Sequence, residues 1–127
     1  MINYDLPNYV TVLPVIPVAA IASSTNGTPF DLQPYIGKIL LRADIGNATA
    51  GTNPTLDLVV KQSIDNSNWS NANVAFTQAT NTTHQILAYD PRAQYRYMRV
   101  DRVIGGTNSP SFPVSVVGVA QRQFNQS

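Results

Sequence analysis

From residue 38 onward the chain alternates apolar and polar residues with a period of two, in runs separated by clusters of Gly, Pro, Asn and Thr. Residues 38–45 put Ile39, Leu41, Ala43 and Ile45 on one face and Leu40, Arg42 and Asp44 on the other. Residues 55–63 set Leu56, Leu58 and Val60 against Asp57, Val59 and Lys61. Residues 74–77 and 85–88 are shorter candidates. Residues 95–104 place Met98, Val100 and Ile104 opposite Tyr97, Arg99, Asp101 and Val103. Residues 112–120 place Phe112, Val114, Val116 and Ala120 opposite Pro113, Ser115, Val117 and Val119. Alternation between turn clusters predicts half-buried antiparallel strands. Helix formers are scarce, Glu is absent, and nine prolines and seven glycines interrupt the chain at short intervals. The predicted fold class is all-β, an antiparallel β-sandwich.

The first 28 residues read differently. Pro7, Pro14 and Pro17 remove backbone donors and make a poor interior strand, yet Val10, Val12, Leu13, Val15, Ile16, Val18 and Ile21 are too apolar for a solvated linker. Two readings stay open: the segment covers an edge of its own sandwich, or it is an arm laid across a neighbouring subunit. The expected division is an extended N-terminal arm over residues 1–28 and a sandwich domain over 29–127. Tyr9, Val12, Leu13, Val15 and Ile16 are the expected partner contacts. On that reading, deletion of residues 1–20 removes association and leaves the sandwich folded. The longest apolar run, residues 12–22, carries two prolines and falls short of the roughly 20 residues a bilayer needs. No Lys or Arg precedes residue 38, so the basic start of a secretory signal is missing. No membrane partner is expected, and assembly in a cytoplasm is.

Two stretches resemble each other. Ile45-Gly46 leads through Gly51-Thr52-Asn53-Pro54 into a strand, and Ile104-Gly105 leads through Gly106-Thr107-Asn108-Ser109-Pro110 into another. They predict two hairpins of like construction, with Gly taking positive φ and Pro opening the next strand.

Composition removes most chemistry. Without cysteine there is no disulfide, thiolate nucleophile or zinc-thiolate site. His84 is the single histidine and sits in a polar turn, so a nucleophile–base pair has no credible partner set. The net charge of +1 carries no field suited to nucleic acid. Arg96 and Arg102 share the strand phase of Met98 and Val100 while Arg99 projects opposite, which splits the basic cluster between faces. Asp65-Asn66-Ser67-Asn68 could offer oxygen ligands to a hard cation, but an Asx-rich turn explains the same residues. Trp69 follows that turn. It is expected to close one end of the core; the rival reading is a glycan-binding module in which Trp69 and the Asn-rich loops read sugars. No enzyme, cofactor or metal is expected. The abundant Asn, Thr, Ser and Gln, 12, 11, 9 and 8 residues, suit a protein that works by surface contact.

The succession at 56–69, Leu-Asp-Leu-Val-Val-Lys-Gln-Ser-Ile-Asp-Asn-Ser-Asn-Trp, is followed by Phe76-Thr77-Gln78, then Tyr95-Arg96-Tyr97-Met98-Arg99-Val100, then Gly105-Gly106-Thr107 with Ser109-Pro110-Ser111-Phe112. In this order these elements resemble small structural proteins of tailed bacteriophages, the capsid decoration or cement proteins. Where that pattern usually has Gly after Asp, this chain has Asn66 and Ser67. The resemblance covers residues 38–121 and implies a jelly-roll-like domain seated on an assembled shell. Implied with it are binding to the major capsid protein, self-association as a homotrimer, and a place on the virion's capsid surface.

Overall fold

The computed structural model describes residues 10–91 and 94–122. Its strands are β1 (Val10–Ile21), β2 (Phe30–Asp31), β3 (Tyr35–Ile45), β4 (Thr52–Ser63), β5 (Trp69–Asn71), β6 (Thr83–Tyr89), β7 (Tyr97–Thr107) and β8 (Phe112–Arg122). They pair antiparallel in two four-stranded sheets, ordered β1-β8-β3-β6 (sheet A) and β2-β7-β4-β5 (sheet B). First strands lie beside last strands in both sheets, which is the nested order of a jelly roll.

The inner faces are those the alternation predicts. Ile39, Leu41, Ala43 and Ile45 of β3 meet Leu56, Leu58 and Val60 of β4, Met98 and Val100 of β7, and Phe112, Val114, Val116 and Ala120 of β8 in one core. Strand interiors read this way because one face sheds water and the other keeps it. One polar tie joins the sheets inside that core. The buried Tyr89 hydroxyl donates to Gln62 Oε1 at 3.1 Å, and burial pushes its pKa up to about 12. The short strand predicted over residues 74–77 does not form. That stretch crosses the sandwich edge instead, with Phe76 buried, the neighbouring Ala79 bridged to Leu56, and the Gln85 side chain holding the Thr77 backbone.

The N-terminal segment corrects the expected division at residue 28. Residues 10–21 are an edge strand of sheet A, paired with β8 from Val10↔Gln121 to Ile21↔Phe112. Leu13, Val15, Ile16 and Ile21 are buried in the common core. Two irregularities in the register, between Leu13 and Ile16 and between Ile16 and Ala19, coincide with Pro14 and Pro17. Each lets a residue without an N–H sit in an edge strand. The first also resets the alternation, so consecutive Val15 and Ile16 both turn inward. Tyr9 lies outside the described residues.

The repeated Gly-Thr-Asn stretches are not hairpins. Each crosses between the sheets: β3 to β4 from A to B, β7 to β8 from B to A. Their strands therefore pair elsewhere, and the two arches lock against each other. The Gly46 N–H donates to the Pro113 carbonyl and the Thr49 N–H to that of Ser111, both at 2.8 Å, while Asn108 Nδ2 donates to Thr52 Oγ1 at 2.9 Å. Matching sequence gives matching backbone: Gly51 and Asn53 at φ +98° and +49°, Gly106 and Asn108 at +107° and +63°. Gly51 is needed twice over, since the Pro110 ring also lies 2.7 Å from where a Cβ would stand.

Candidate functional site

The two outer faces of the sandwich differ. Sheet B covers much of its own, with Val103 of β7 left 46% exposed. Residues 24–27 lie along β7: Thr25 exchanges backbone hydrogen bonds with Arg102, Ser24 Oγ accepts from the Ile104 N–H, and the Gly27 N–H donates to Asp101 Oδ1 at 2.8 Å. Asp101 also holds Arg99, whose guanidinium stacks on Trp69 at 4.4 Å from the ring centroid. Trp69 is thus half-buried on the outer face of sheet B; it does not close the core as the sequence suggests.

Sheet A leaves apolar side chains in water. Among the described residues, six exposed large aliphatic ones stand on its strands: Val12, Val18, Ile36, Leu40, Ile86 and Val119. The register aligns several of them. Val12 lies directly opposite Val119, Val119 opposite Leu40, and Leu40 opposite Ala88, giving one apolar rung across all four strands. Val12 is 62% exposed, Leu40 49% and Val119 40%. Directly opposed residues share a face with Cβ atoms about 5 Å apart, so the rung is continuous. In the next rung Val117 and the 72%-exposed Ile86 flank Arg42. In the third, Ser115 and His84 flank Asp44. The face therefore grades from apolar at one end to charged at the other.

The charged end is an ion cluster. His84 Nδ1 lies 2.6 Å from Asp44 Oδ1, and Arg42 Nε lies 3.3 Å from the same carboxylate. The His84 contact, then Arg42, holds the Asp44 carboxyl below its ordinary value. His84 stands in β6 rather than in the turn before it. Ser, Asp and His come together here in an order that gives no nucleophile–base pair. Asp44 sits on the middle strand, which separates Ser115 from His84 by two strand spacings, about 10 Å.

Of the expected partner contacts, Leu13, Val15 and Ile16 belong to the chain's own core and are closed to a partner. Val12 alone of the described ones is exposed, and it lies on the rung. The rung's other members were visible as a fault in the alternation. Leu40 occupies the phase of Arg42 and Asp44, and Val117 and Val119 that of Pro113 and Ser115.

Asp65 organises the β4–β5 turn. Its carboxylate accepts the N–H groups of Ser67 and Asn68 at 2.9 and 2.8 Å, the Asn68 amide at 2.8 Å and the Ser63 hydroxyl at 3.1 Å. These donors hold its pKa far below the ordinary 3.8. Arg96 does the same, more mildly, for Asp31. Carboxyls that bind protons less readily folded than unfolded contribute stability that is complete above the ordinary carboxylate value and is lost as pH falls through the lowered one. The melting temperature should therefore drop steeply below about pH 4. Asp65→Asn should flatten that drop, and a pH series of thermal melts reads the difference.

No known family model matches the chain, and no curated protein does. Among solved structures, the crystal structure of the SPBc2 prophage-derived protein YomS superposes with a TM-score of 0.60, covering 88% of this chain and 92% of that one. The two share a fold. Sequence identity is 13%.

Proposed function

We propose that this chain is a structural protein of a tailed bacteriophage. On this reading it decorates the capsid at the virion surface, binds the major capsid protein and associates with itself as a homotrimer. The observation that carries the reading is the rung Val12–Val119–Leu40–Ala88 on the outer face of sheet A, an apolar stripe unsatisfied within the subunit. Its likeness in fold to a prophage-derived protein and its sequence resemblance to decoration proteins support the same reading. A protein that acts by covering a surface needs area that gains from losing water, and a rim that sets orientation. The apolar rung supplies the first, the Arg42–Asp44–His84 cluster the second. Individual contacts stay modest because many copies on one shell multiply them, and a closed ring satisfies its own interfaces.

Size-exclusion chromatography with light scattering on the isolated chain should give a trimer. Leu40→Lys with Val119→Lys should give a monomer with unchanged circular dichroism, since both side chains already face water. Replacing two aliphatic contacts by charge costs about 3 kcal/mol or more of association, over a hundredfold in affinity for shells stripped of the protein. A wild-type monomer that leaves such shells bare refutes the reading.

A further inference from the structure

One end of the sandwich gathers the connections β2–β3, β4–β5 and β6–β7, and two adjoining cavities open there. The first, about 300 Å³, has Leu32, Tyr35, Ile39, Pro91, Tyr95 and Arg96 among its lining residues. The second, about 360 Å³, is lined by Ile64, Asp65, Asn68, Trp69, Ser70 and again Tyr95. We propose that this end is a binding site for a neutral oligosaccharide, with Tyr95 the wall shared by two sugar subsites. The site shares no residue with the sheet A rung and does not depend on the capsid reading.

The size is that of small-ligand sites, which begin at about 300 Å³. The chemistry of the walls selects the ligand class. Tyr35, Tyr95 and Trp69 supply an aromatic surface to each cavity, and the C–H face of a sugar ring packs on such planes. The polar groups are held in place before any ligand arrives. Arg96 donates from Nε and Nη2 to the two oxygens of Asp31 at 2.9 and 2.8 Å, leaving further donor and acceptor positions side by side on half-exposed groups, as adjacent sugar hydroxyls require. Asp65 and Asn68 are fixed by the turn they build. Arg99 stacked on Trp69 orients that ring. Charge disfavours an anionic ligand: the Arg96 cation is matched by Asp31, and the second cavity carries the Asp65 carboxylate. Two pockets with a common wall suit a repeating chain of small polar units better than a single compact molecule.

Trp69 is the only tryptophan, so its fluorescence reports on the second cavity directly. The test titrates the full chain with a panel of neutral oligosaccharides (gluco-, galacto-, xylo- and N-acetylglucosamine series) and with sialylated and sulfated glycans, and follows Trp69 emission and calorimetric heat. At least one series should bind, shift the emission and lose tenfold or more in affinity in Tyr95→Ala. Tyr35→Ala, which touches the first cavity alone, should weaken binding while leaving the emission shift at saturation. Circular dichroism checks that each variant folds; should Tyr95→Ala not fold, Tyr35→Ala decides. The Leu40→Lys, Val119→Lys variant should bind sugar like wild type, which separates failure of this site from failure of the capsid reading. No response across the panel, binding of sialylated or sulfated glycans alone, or affinity unchanged in both tyrosine variants would overturn the proposal.

Discussion

Deletion of residues 1–21 should abolish cooperative folding. Four core side chains go with the segment, Leu13, Val15, Ile16 and Ile21, each 6% exposed or less. Burial of an aliphatic side chain of this size contributes about 1.5–3 kcal/mol. Four together approach or exceed the ~5–15 kcal/mol by which a domain is stable at all. The deletion also strips the hydrogen-bonded neighbour from β8 along its length and turns a central strand into a bare edge. Urea unfolding followed by circular dichroism should show no transition for the truncated chain. Ile16→Ala alone should lower the midpoint by the equivalent of about 2–4 kcal/mol. A truncated chain that melts like the parent would mean that β1 is dispensable, as the sequence reading of a free arm supposed. That reading expected deletion of residues 1–20 to spare the sandwich, and the buried β1 residues are the reason it should not.

Asp101→Ala should cost about 3 kcal/mol. The carboxylate is buried on the outer face of sheet B, where it accepts the Gly27 N–H and faces Arg99 across 2.9 Å. Its removal leaves an N–H unpaired and the mostly buried guanidinium of Arg99 without its counter-charge, and breaking one side of such a pair costs far more than the pair is worth. The segment it anchors cannot drift outward to relieve this cheaply. Gly27 passes so close to the Val100 carbonyl that no side chain fits between them, which fixes the segment against β7. Asp101→Asn, which keeps an acceptor for Gly27, should lose less than half as much. Equal losses in the two variants would show that the charge facing Arg99, not the acceptor for Gly27, matters. Because Arg99 also braces Trp69, the Ala variant should shift Trp69 emission without any ligand present.

Much of the fold was legible because the physics that sets it is local. Alternation in β3, β4, β7 and β8 identified every inward residue named for them, since a strand with one dry face must repeat every second position. The failures share a cause as well. Pro14 and Pro17 argued against an interior strand and left open an edge of the chain's own sandwich, and only the paired β8, with irregularities where the prolines fall, shows how that edge tolerates them. The Gly-Thr-Asn repeats specified their backbone angles correctly and their topology wrongly, because a turn's φ values do not say which sheet the chain enters next. Trp69 looked like a core lid because aromatic residues after turns often are; the sheet B register instead brings it beside Arg99.

The candidate surfaces divide in the same way. Sequence alone determined the fold class, the inner faces and the poverty of reactive groups, all of which follow from composition and from neighbours along the chain. Only the tertiary structure decided that Val12, Val119, Leu40 and Ala88 form one rung, and that Tyr35, Tyr95 and Trp69 share one end. Those groupings join residues far apart in the chain, and strand order and register, which bring them together, are set by the packing of the whole core.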